Sequence, residues 1–297
     1  MRILALGEIL WDVIGDQEYL GGATFNFSAH ATRLGADVEL VSAVGKDERG
    51  RRALQRAREL GVSTARIREV EAATGWVSVR LKVGQPDYTI HRPAAYDFAS
   101  LSTEDWRAIE KEPPDWVYFG TLCAMDDSVR ALLGEICRRL PQSKRFYDVN
   151  LRRDSYSREL LEELLGQADV VKLNEDETVE LGRLFDEPPT GTESFCRRWA
   201  ERFEWEGVCV TRGAEGCAVC FEDFFGGTYR EVPGVRVQVR DAVGAGDAFS
   251  AAFLTSYAGG AAPAEGAAFA NRVGALVASR SGAVPDWSIE EAAALEG

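Results

Sequence analysis

The residues with the clearest chemical potential lie in the segment Asp241–Asp247, which reads D-A-V-G-A-G-D. The apolar run Val235–Val239 before it predicts a strand, and the residues after it have helical composition. The N–H groups at the start of a helix bind anions, and glycine lets the backbone approach an anion closely. A carboxylate at Asp247 in the first helical turn could take a proton from a hydroxyl group. The segment fits phosphoryl transfer, and on its own it fits a plain capped helix equally well.

A second polar group lies near the N-terminus, in Gly21-Gly22-Ala23-Thr24-Phe25-Asn26. The glycine pair leads into a predicted helix, and Asn26 near its start could donate to and accept from a hydroxylated ligand. Helix capping is the alternative role for Thr24 or Asn26. Upstream, Asp12 follows an apolar stretch, where an acid could bind sugar hydroxyls or lie in a solvated turn.

Alternating strand and helix patterns position these residues and predict an α/β fold with a doubly wound, mostly parallel sheet. The predicted strands are Ile3–Leu6, Asp37–Val44, Trp116–Phe119, Arg145–Val149, Val170–Leu173, Val208–Thr211, Cys217–Phe221 and Val235–Val239. The predicted helices are Thr24–Leu34, Glu48–Leu60, Asp126–Leu140, Glu159–Leu165, Glu175–Leu184 and Glu193–Phe203, with two more starting at Asp247 and Ala264.

One region interrupts this alternation. Thr74–Arg92 reads as two strands with a turn at Gly84–Asp87 and no helix between them, which predicts an antiparallel hairpin. An isolated hairpin is marginally stable, so we expect Trp11–Ile14 and Glu18–Leu20 to join it. The sequence thus predicts one domain over 1–297, with a small β-sheet lid formed by about 11–22 and 74–98.

Composition excludes several classes of function. The 297 residues carry a formal net charge of −14, which argues against nucleic acid but not against a single nucleotide. No apolar run is long enough for a signal peptide or a membrane span, so we expect a cytoplasmic protein without membrane partners. The six cysteines should then be reduced, and Cys217-Ala218-Val219-Cys220 lies in a predicted strand, which favours buried structural thiols.

Other catalytic motifs are missing from the sequence. It contains no G-x-x-x-x-G-K-[ST], no G-x-S-x-G and no complete G-x-G-x-x-G. Only two histidines occur, His30 and His91, and His30 falls inside the first predicted helix, where we expect it to be packed or on the surface.

Five sequence blocks in order resemble the ribokinase (PfkB) family of carbohydrate kinases, and in particular its fructokinase-like branch. They cover nearly the whole chain and are G-G-A-T-F-N-F-S from Gly21, Asp148–Arg152 (D-V-N-L-R), Asn174–Glu177 within K-L-N-E-D-E, Thr211–Gly216, and G-A-G-D ending at Asp247.

The resemblance implies a role for each matching residue. Asp247 would be the catalytic base, and Gly244, Ala245 and Gly246 would form the anion hole. The residues implied at the sugar are Asp12, Gly22, Asn26 and Arg152, to which Arg92 is added as a nearby cation. The residues implied at ATP are Asn174, Thr211, Gly213, Gly216 and Asn271.

The same resemblance also implies residues that bind ions. Glu177 would hold Mg²⁺ through water, since Mg²⁺ prefers oxygen ligands and keeps several waters. Asp241 resembles a ligand of a monovalent cation, with K⁺ the expected ion and Ser279–Ala283 the other wall of the site. The sequence departs from the family at Ala242, where Thr is common. It departs again at Phe25 and Phe27, which either narrow the sugar pocket or belong to the core.

These observations predict an ATP-dependent sugar kinase that uses Mg²⁺, with fructose as the first substrate to test. Ribose, 2-keto-3-deoxygluconate and nucleosides remain open as substrates, and a homodimer could form through the lid. The alternatives from other classes are a sugar-sensing protein that has lost catalysis and another nucleotide-dependent enzyme, such as a dehydrogenase.

Overall fold

A computed structural model describes residues 1–82, 85–222 and 227–295, with only the backbone described for 79–82 and 85–88. Its strands are β1 Arg2–Leu6, β2 Leu10–Ile14, β3 Gln17–Gly21, β4 Asp37–Gly45, β5 Ile67–Val70, β6 Gly75–Lys82, β7 Gln85–His91, β8 Trp116–Gly120, β9 Lys144–Asp148, β10 Val170–Asn174, β11 Gly207–Thr211, β12 Gly216–Phe221 and β13 Thr228–Pro233. Its α-helices are α1 Ala23–Arg33, α2 Glu48–Glu59, α3 Thr103–Lys111, α4 Asp127–Arg139, α5 Arg158–Gln167, α6 Glu175–Leu184, α7 Thr192–Phe203, α8 Ala245–Ala258, α9 Pro263–Ala278 and α10 Ile289–Ala294.

The main sheet has nine strands in the order β13-β12-β11-β10-β9-β8-β1-β4-β5. The seven strands from β11 to β5 are parallel, and β12 pairs antiparallel with both β11 and β13. This arrangement confirms the predicted doubly wound, mostly parallel sheet. The strand order reverses between β1 and β8, and the crevice at the carboxyl ends of such strands is where ligands bind in open α/β sheets.

Helices cover both faces of this sheet and create two hydrophobic cores. One core packs α1, α8 and α9 on the sheet and contains Phe27, Phe253 and Val273. The other packs α4, α5 and α7 on the opposite face and contains Leu133, Leu164 and Trp199. Parallel strands that are covered on both sides read as nearly continuous apolar runs, which is why the sequence pattern identified most of them.

A second, smaller sheet has the order β3-β2-β6-β7. Strands β2 and β6 are parallel, and the other two pairs are antiparallel, including the predicted hairpin β6–β7. Strand β7 begins at Gln85, inside the turn predicted for 84–87, and Val83 and Gly84 lie outside the described residues. The sheet ends at His91, and after it a cis Arg92–Pro93 bond leads to a short 3₁₀ helix at Ala95–Phe98.

The two faces of the small sheet have different neighbours. Trp11 and Trp76 are register partners on one face, which packs on α2 with Arg52 over the Trp11 ring and Arg49 over the Trp76 ring. Asp12 is paired with Tyr19 on the opposite face. The two tryptophans are therefore packed against α2, on the side of the sheet away from Asp12.

The strand predicted at Val235–Val239 is wrong. This segment follows β13 and belongs to no sheet, and Val239 is 62% exposed. The edge position next to β12 is already filled by β13, which the sequence reading missed. The chain leaves the edge at Gly234, where an added β-carbon would lie 2.3 Å from the carbonyl oxygen of Ala214. The turn that is predicted to bind an anion is therefore reached through an irregular segment and not through a strand.

None of the six cysteines, all of which lie within the described residues, forms a disulfide. Cys217 and Cys220 are both buried in β12, and they belong to the two different hydrophobic cores. Side chains separated by three positions in a strand point to opposite faces, which confirms the structural interpretation of this pair. Among the described residues, no helix is both long enough and apolar enough to cross a membrane.

Candidate active site

Four parallel strands end at the same edge of the main sheet and position residues of the candidate site. Glu8 lies just after β1, Asp148 ends β9, Asn174 ends β10 and Thr211 ends β11. Helices α1 and α8 pack beside each other on one face of this edge and contribute Asn26 and Asp247.

Asp247 lies in the first turn of α8, and only 8% of it is exposed. Its Oδ2 accepts a hydrogen bond from Asn26 Nδ2 at 2.8 Å. Burial, followed by the neighbouring charge of Asp148, raises the pKa of Asp247 to about 6, although Asn26, Lys172 and Arg152 favour its ionised form. A carboxylate with this pKa is ionised at neutral pH and is a stronger base than an exposed aspartate.

The turn that begins α8 depends on Gly244, which has φ 79°. A β-carbon there would lie 2.4 Å from the carbonyl oxygen of Ala283. That carbonyl accepts from His30 Nε2 at 2.9 Å, while His30 Nδ1 accepts from Trp287 Nε1 at 3.1 Å. Burial lowers the pKa of His30 to about 4, so it stays neutral and packed, one of the two outcomes expected for it. The N–H groups of Gly246 and Asp247 follow in the first turn, where helices leave N–H groups without intrahelical acceptors.

The sugar side predicted from the sequence also forms one cluster. An added β-carbon at Gly21 would lie 3.0 Å from Asp12 Oδ2 and 4.0 Å from Asn26 Oδ1, so these side chains converge. Asn26 Oδ1 is buried and has no hydrogen-bond partner among the residues that the structure describes. Burial raises the pKa of Asp12 to about 6, with Arg152 opposing the shift and Asp241 adding to it.

Gly22 precedes α1 with φ 105°, and a β-carbon there would lie 2.6 Å from the carbonyl oxygen of Glu8. The Glu8 side chain is 3% exposed, and its Oε1 accepts from Ala23 N at 2.8 Å. Its Oε2 is buried and has no hydrogen-bond partner in the described part of the chain, and burial raises the pKa of the Glu8 carboxyl group. The sequence reading did not select Glu8, although an acid directly after the central strand was the available signal.

The two arginines expected near the sugar differ in their environments. Arg152 is exposed, and its charge favours the ionised forms of Glu8, Asp12 and Asp247. The Arg92 guanidinium instead forms an ion pair with Asp97 and donates to the carbonyl oxygen of Leu122 at 2.8 Å. Arg92 therefore fixes the 3₁₀ helix after the small sheet. The Arg152 side chain has no hydrogen bond or ion pair within the described residues and lies close enough to the clustered acids to affect their pKa values.

Asn174 and Glu177 form a capping box at the start of α6. Glu177 N donates to Asn174 Oδ1 at 2.9 Å, and Glu177 Oε2 accepts from Asn174 N at 2.7 Å. Glu177 Oε1 also accepts from Leu151 N at 2.7 Å, which ties α6 to the loop that carries Arg152. Burial and the nearby Asp148 raise the pKa of Glu177, and Lys172 opposes this effect.

The residues expected at the nucleotide lie farther along the same edge. Thr211 ends β11, and Gly213 has φ 56° with open space where a β-carbon would be. At Gly216, with φ 95°, a β-carbon would lie 2.2 Å from the carbonyl oxygen of Val232. Asn271 donates to the carbonyl oxygen of Pro233 at 3.0 Å, which joins α9 to the sheet edge.

Asp241 connects two backbone segments. Its Oδ1 accepts from Val243 N and its Oδ2 from Gly282 N, both at 3.0 Å. The stretch Ser279–Ala283 therefore does lie opposite Asp241. The flanking Phe25 and Phe27 are 1% and 0% exposed, and Phe27 stacks on Tyr118, which places both residues in the core rather than in the sugar pocket.

Comparisons with known proteins identify the class to which this protein belongs. The family of pfkB family carbohydrate kinases matches residues 6–290, and the chain belongs to this family. It is a kinase, a phosphotransferase that acts on a sugar hydroxyl.

Individual relatives agree with this assignment. An uncharacterized sugar kinase of Pyrococcus horikoshii is 28% identical over 96% of this chain and 92% of its own length. The solved structure of a fructokinase from Xylella fastidiosa with bound ATP is 25% identical, has a TM-score of 0.84, and covers 98% of this chain and 97% of its own. A ribokinase II of Escherichia coli, solved with ATP and Mg²⁺, shares the fold with a TM-score of 0.83 at 21% identity, over 98% of this chain and 97% of its own. Fructokinases from plants and Escherichia coli also match, at 25% to 28% identity.

Proposed function

We propose that this protein transfers the terminal phosphoryl group of ATP to a sugar hydroxyl, with Asp247 as the base. The observation that carries the proposal is the buried Asp247 carboxylate in the first turn of α8, hydrogen-bonded to Asn26 at 2.8 Å. The free acceptor Asn26 Oδ1 faces the Asp12 side of the same cluster. A sugar hydroxyl bound in this cluster can donate its proton to Asp247 while its oxygen attacks the terminal phosphoryl group of ATP, and ADP leaves.

The first turn of α8 supplies the matching positive field. Negative charge on the transferred group is stabilised by N–H groups at a helix N-terminus, which are already oriented before reaction. Gly244 allows this turn to pack closely on Ala283, so the position of the N–H groups is fixed by backbone contact. Proton removal by Asp247 and charge stabilisation by this turn therefore act on the two reacting partners from one helix end.

Mg²⁺ fits the residues present when it is bound mainly through nucleotide and water. Among the described residues, no group of three His, Cys, Asp or Glu side chains could hold a metal ion by itself. Both Glu177 oxygens accept backbone N–H groups, so we infer that Glu177 reaches Mg²⁺ through water. The ion would neutralise phosphate charge, and Asn174 would keep Glu177 in place.

Fructose is the proposed substrate, supported by the D-V-N-L-R block and the fructokinase relatives. A coupled ADP-release assay with fructose, ribose, 2-keto-3-deoxygluconate and nucleosides tests this choice. We expect kcat/KM for fructose to exceed the others by at least about tenfold, since a site built to bind hydroxyls rejects analogues that leave its polar groups unpaired. A higher kcat/KM for another sugar would replace fructose. Sugar binding without turnover would favour the sensor alternative.

The same ADP-release assay tests whether the activity depends on a monovalent cation. We infer that K⁺ binds between Asp241 and Ser279–Ala283, which lie opposite each other beside the α8 turn. Replacing K⁺ by tetramethylammonium should then lower kcat, and equal rates in the two salts would exclude the ion. The cytoplasmic location and the dimer through the small sheet stay predictions.

Asp12→Asn is expected to raise KM for the sugar about 10- to 100-fold and to leave KM for ATP within about twofold. Asp12 is next to the free acceptor of Asn26 and is remote in sequence from the nucleotide residues. Because its pKa is about 6, wild-type sugar KM should also rise as the pH falls below 6. Asp16→Asn, in the exposed turn of the small sheet, is the matched control and should change neither constant. An unchanged sugar KM in Asp12→Asn would remove Asp12 from the site.

A further inference from the structure

A buried ion pair lies directly beneath the start of α8. Lys172 and Asp148 are register partners on β10 and β9, so their side chains leave the sheet on the same face. Lys172 Nζ lies 3.1 Å from Asp148 Oδ1 and 3.3 Å from Oδ2. The side chains are 7% and 1% exposed. Burying two charges costs free energy unless both charges are well paired and hydrogen-bonded. A role other than stability is therefore worth considering for this buried pair.

The pair is bound to the catalytic helix on both sides. Ser250 Oγ, one turn after Asp247 on α8, donates to Asp148 Oδ2 at 2.7 Å. A β-carbon built on Gly246 would lie 3.3 Å from Lys172 Nζ, so the ammonium sits against the backbone of the anion-binding turn. The pair therefore touches the very turn that carries Asp247.

We propose that Lys172 is a positioning residue for phosphoryl transfer. Its ammonium offsets the charge of Asp148 on Asp247 and adds positive charge under the first turn of α8. This inference rests on the proposed role of Asp247 as the base. Asp148 and Lys172 lie within sequence blocks that resemble the family, but the sequence analysis assigned no role to either residue.

The charges around Asp247 show why one cation here matters. Asp148 raises the pKa of Asp247, and Lys172 and Arg152 lower it. Although burial opposes it, the carboxylates of Asp148, Glu177 and Asp247 raise the pKa of Lys172, so the ammonium stays charged. The charged or polar groups that face Asp247 are Asn26 from α1, Tyr118 from β8, Asp148 from β9, Arg152 from the following loop and Lys172 from β10. Of the two cations, only Lys172 is buried.

Two substitutions should move the pH profile in opposite directions. In Lys172→Met, Asp148 acts on Asp247 without compensation, so the fall of kcat/KM toward acid should begin at higher pH. We expect about tenfold loss at pH 8 and about fivefold more at pH 6. In Asp148→Asn, which is nearly isosteric, the same fall should begin at lower pH than in wild type. The measurement is kcat/KM for the sugar from pH 5.5 to 8.5 at saturating ATP.

Lys144→Met is the control, because Lys144 on β9 pairs with Glu206 in an exposed ion pair at the opposite end of the strand. Its profile should match wild type. If Lys172→Met and Asp148→Asn both lose activity equally at every pH, or not at all, the pair is only structural and the inference is overturned. If Lys172→Met does not fold, the direction of the Asp148→Asn shift decides. Asp247→Asn separates the two claims, because an active Asp247→Asn overturns the proposed base itself.

Discussion

Asp247→Asn is expected to lower kcat by about 10³-fold, while the dissociation constants for sugar and ATP change by less than about threefold. A positioned general base contributes factors of 10² to 10⁴, and Asn keeps the shape of the side chain without its proton affinity. Asn26, which donates to Asp247 in the wild type, can still be bonded by the oxygen of the new amide. Steady-state kinetics with equilibrium binding by calorimetry measures the two effects separately.

Asp127→Asn is the matched control, because Asp127 also lies in the first turn of a helix, α4, but its side chain is 89% exposed. It should keep wild-type kcat. The proposed base is wrong if Asp247→Asn retains more than about a tenth of wild-type kcat, or if it no longer binds the sugar.

The raised pKa of Asp247 also predicts an effect on stability. A carboxyl group whose pKa is raised to about 6 by folding has no cost below its ordinary value of 3.8 and its full cost above pH 6. Asp247→Asn should therefore unfold at a higher temperature than wild type at pH 8, and this difference should disappear near pH 3.8. Thermal melts at both pH values distinguish a lost base from a damaged fold.

Gly244→Ala is expected to reduce kcat about 10²-fold and to destabilise the fold by about 2 kcal/mol. The alanine must adopt φ 79°, and its β-carbon would lie 2.4 Å from a backbone oxygen at Ala283. The contact partner is backbone held by His30, so relief requires the α8 turn itself to move. Displacement of this turn moves the N–H groups and Asp247 together. Kinetics and chemical denaturation measure both effects.

Gly260→Ala separates strain from this contact. Gly260 has φ 93° but no atom within 4 Å of an added β-carbon, and it lies just after the far end of α8. We expect it to cost about 1 kcal/mol of stability and to leave kcat unchanged. Equal kcat losses in the two variants would mean that the anion-binding turn has no special role at Gly244.

The positions of the candidate catalytic groups could be predicted because short sequence blocks contain them. Gly244 and Asp247 lie in a glycine turn and at a helix start, which the local pattern shows although an irregular segment precedes the turn. The structure brings Asn26 to Asp247, places Glu177 after the end of β10, and brings Asp12 of the small sheet into the same cluster as Asn26. The apolar runs of covered parallel strands were equally readable. The edge strand β13 was not, since the adjacent exposed residues Arg230 and Glu231 make it less apolar than Val235–Val239, which follows it.

Long-range partners could not be predicted from local pattern. The Arg92–Asp97 ion pair and the Asn271 bond to β13 use side chains that the sequence analysis assigned to ligands. Glu8 and Asp148 lie near strand ends and Lys172 lies in the middle of a strand, but only the register of β9 against β10 shows that an acid and a lysine meet beneath α8. Burial of these charges is a property of the packed sheet and helices, which no single segment contains.

The role of Asp247 as the base in sugar phosphorylation is tested by measuring ADP and sugar phosphate in the same reaction. The reaction contains Mg²⁺ and fructose and is run with wild type and with Asp247→Asn. We expect the wild type to form one sugar phosphate for each ADP and to release little ADP without sugar. With Asp247→Asn, we expect about 10³-fold less of both products. ADP release that is independent of any sugar in the substrate panel, or equal product formation by both proteins, would contradict this role of Asp247.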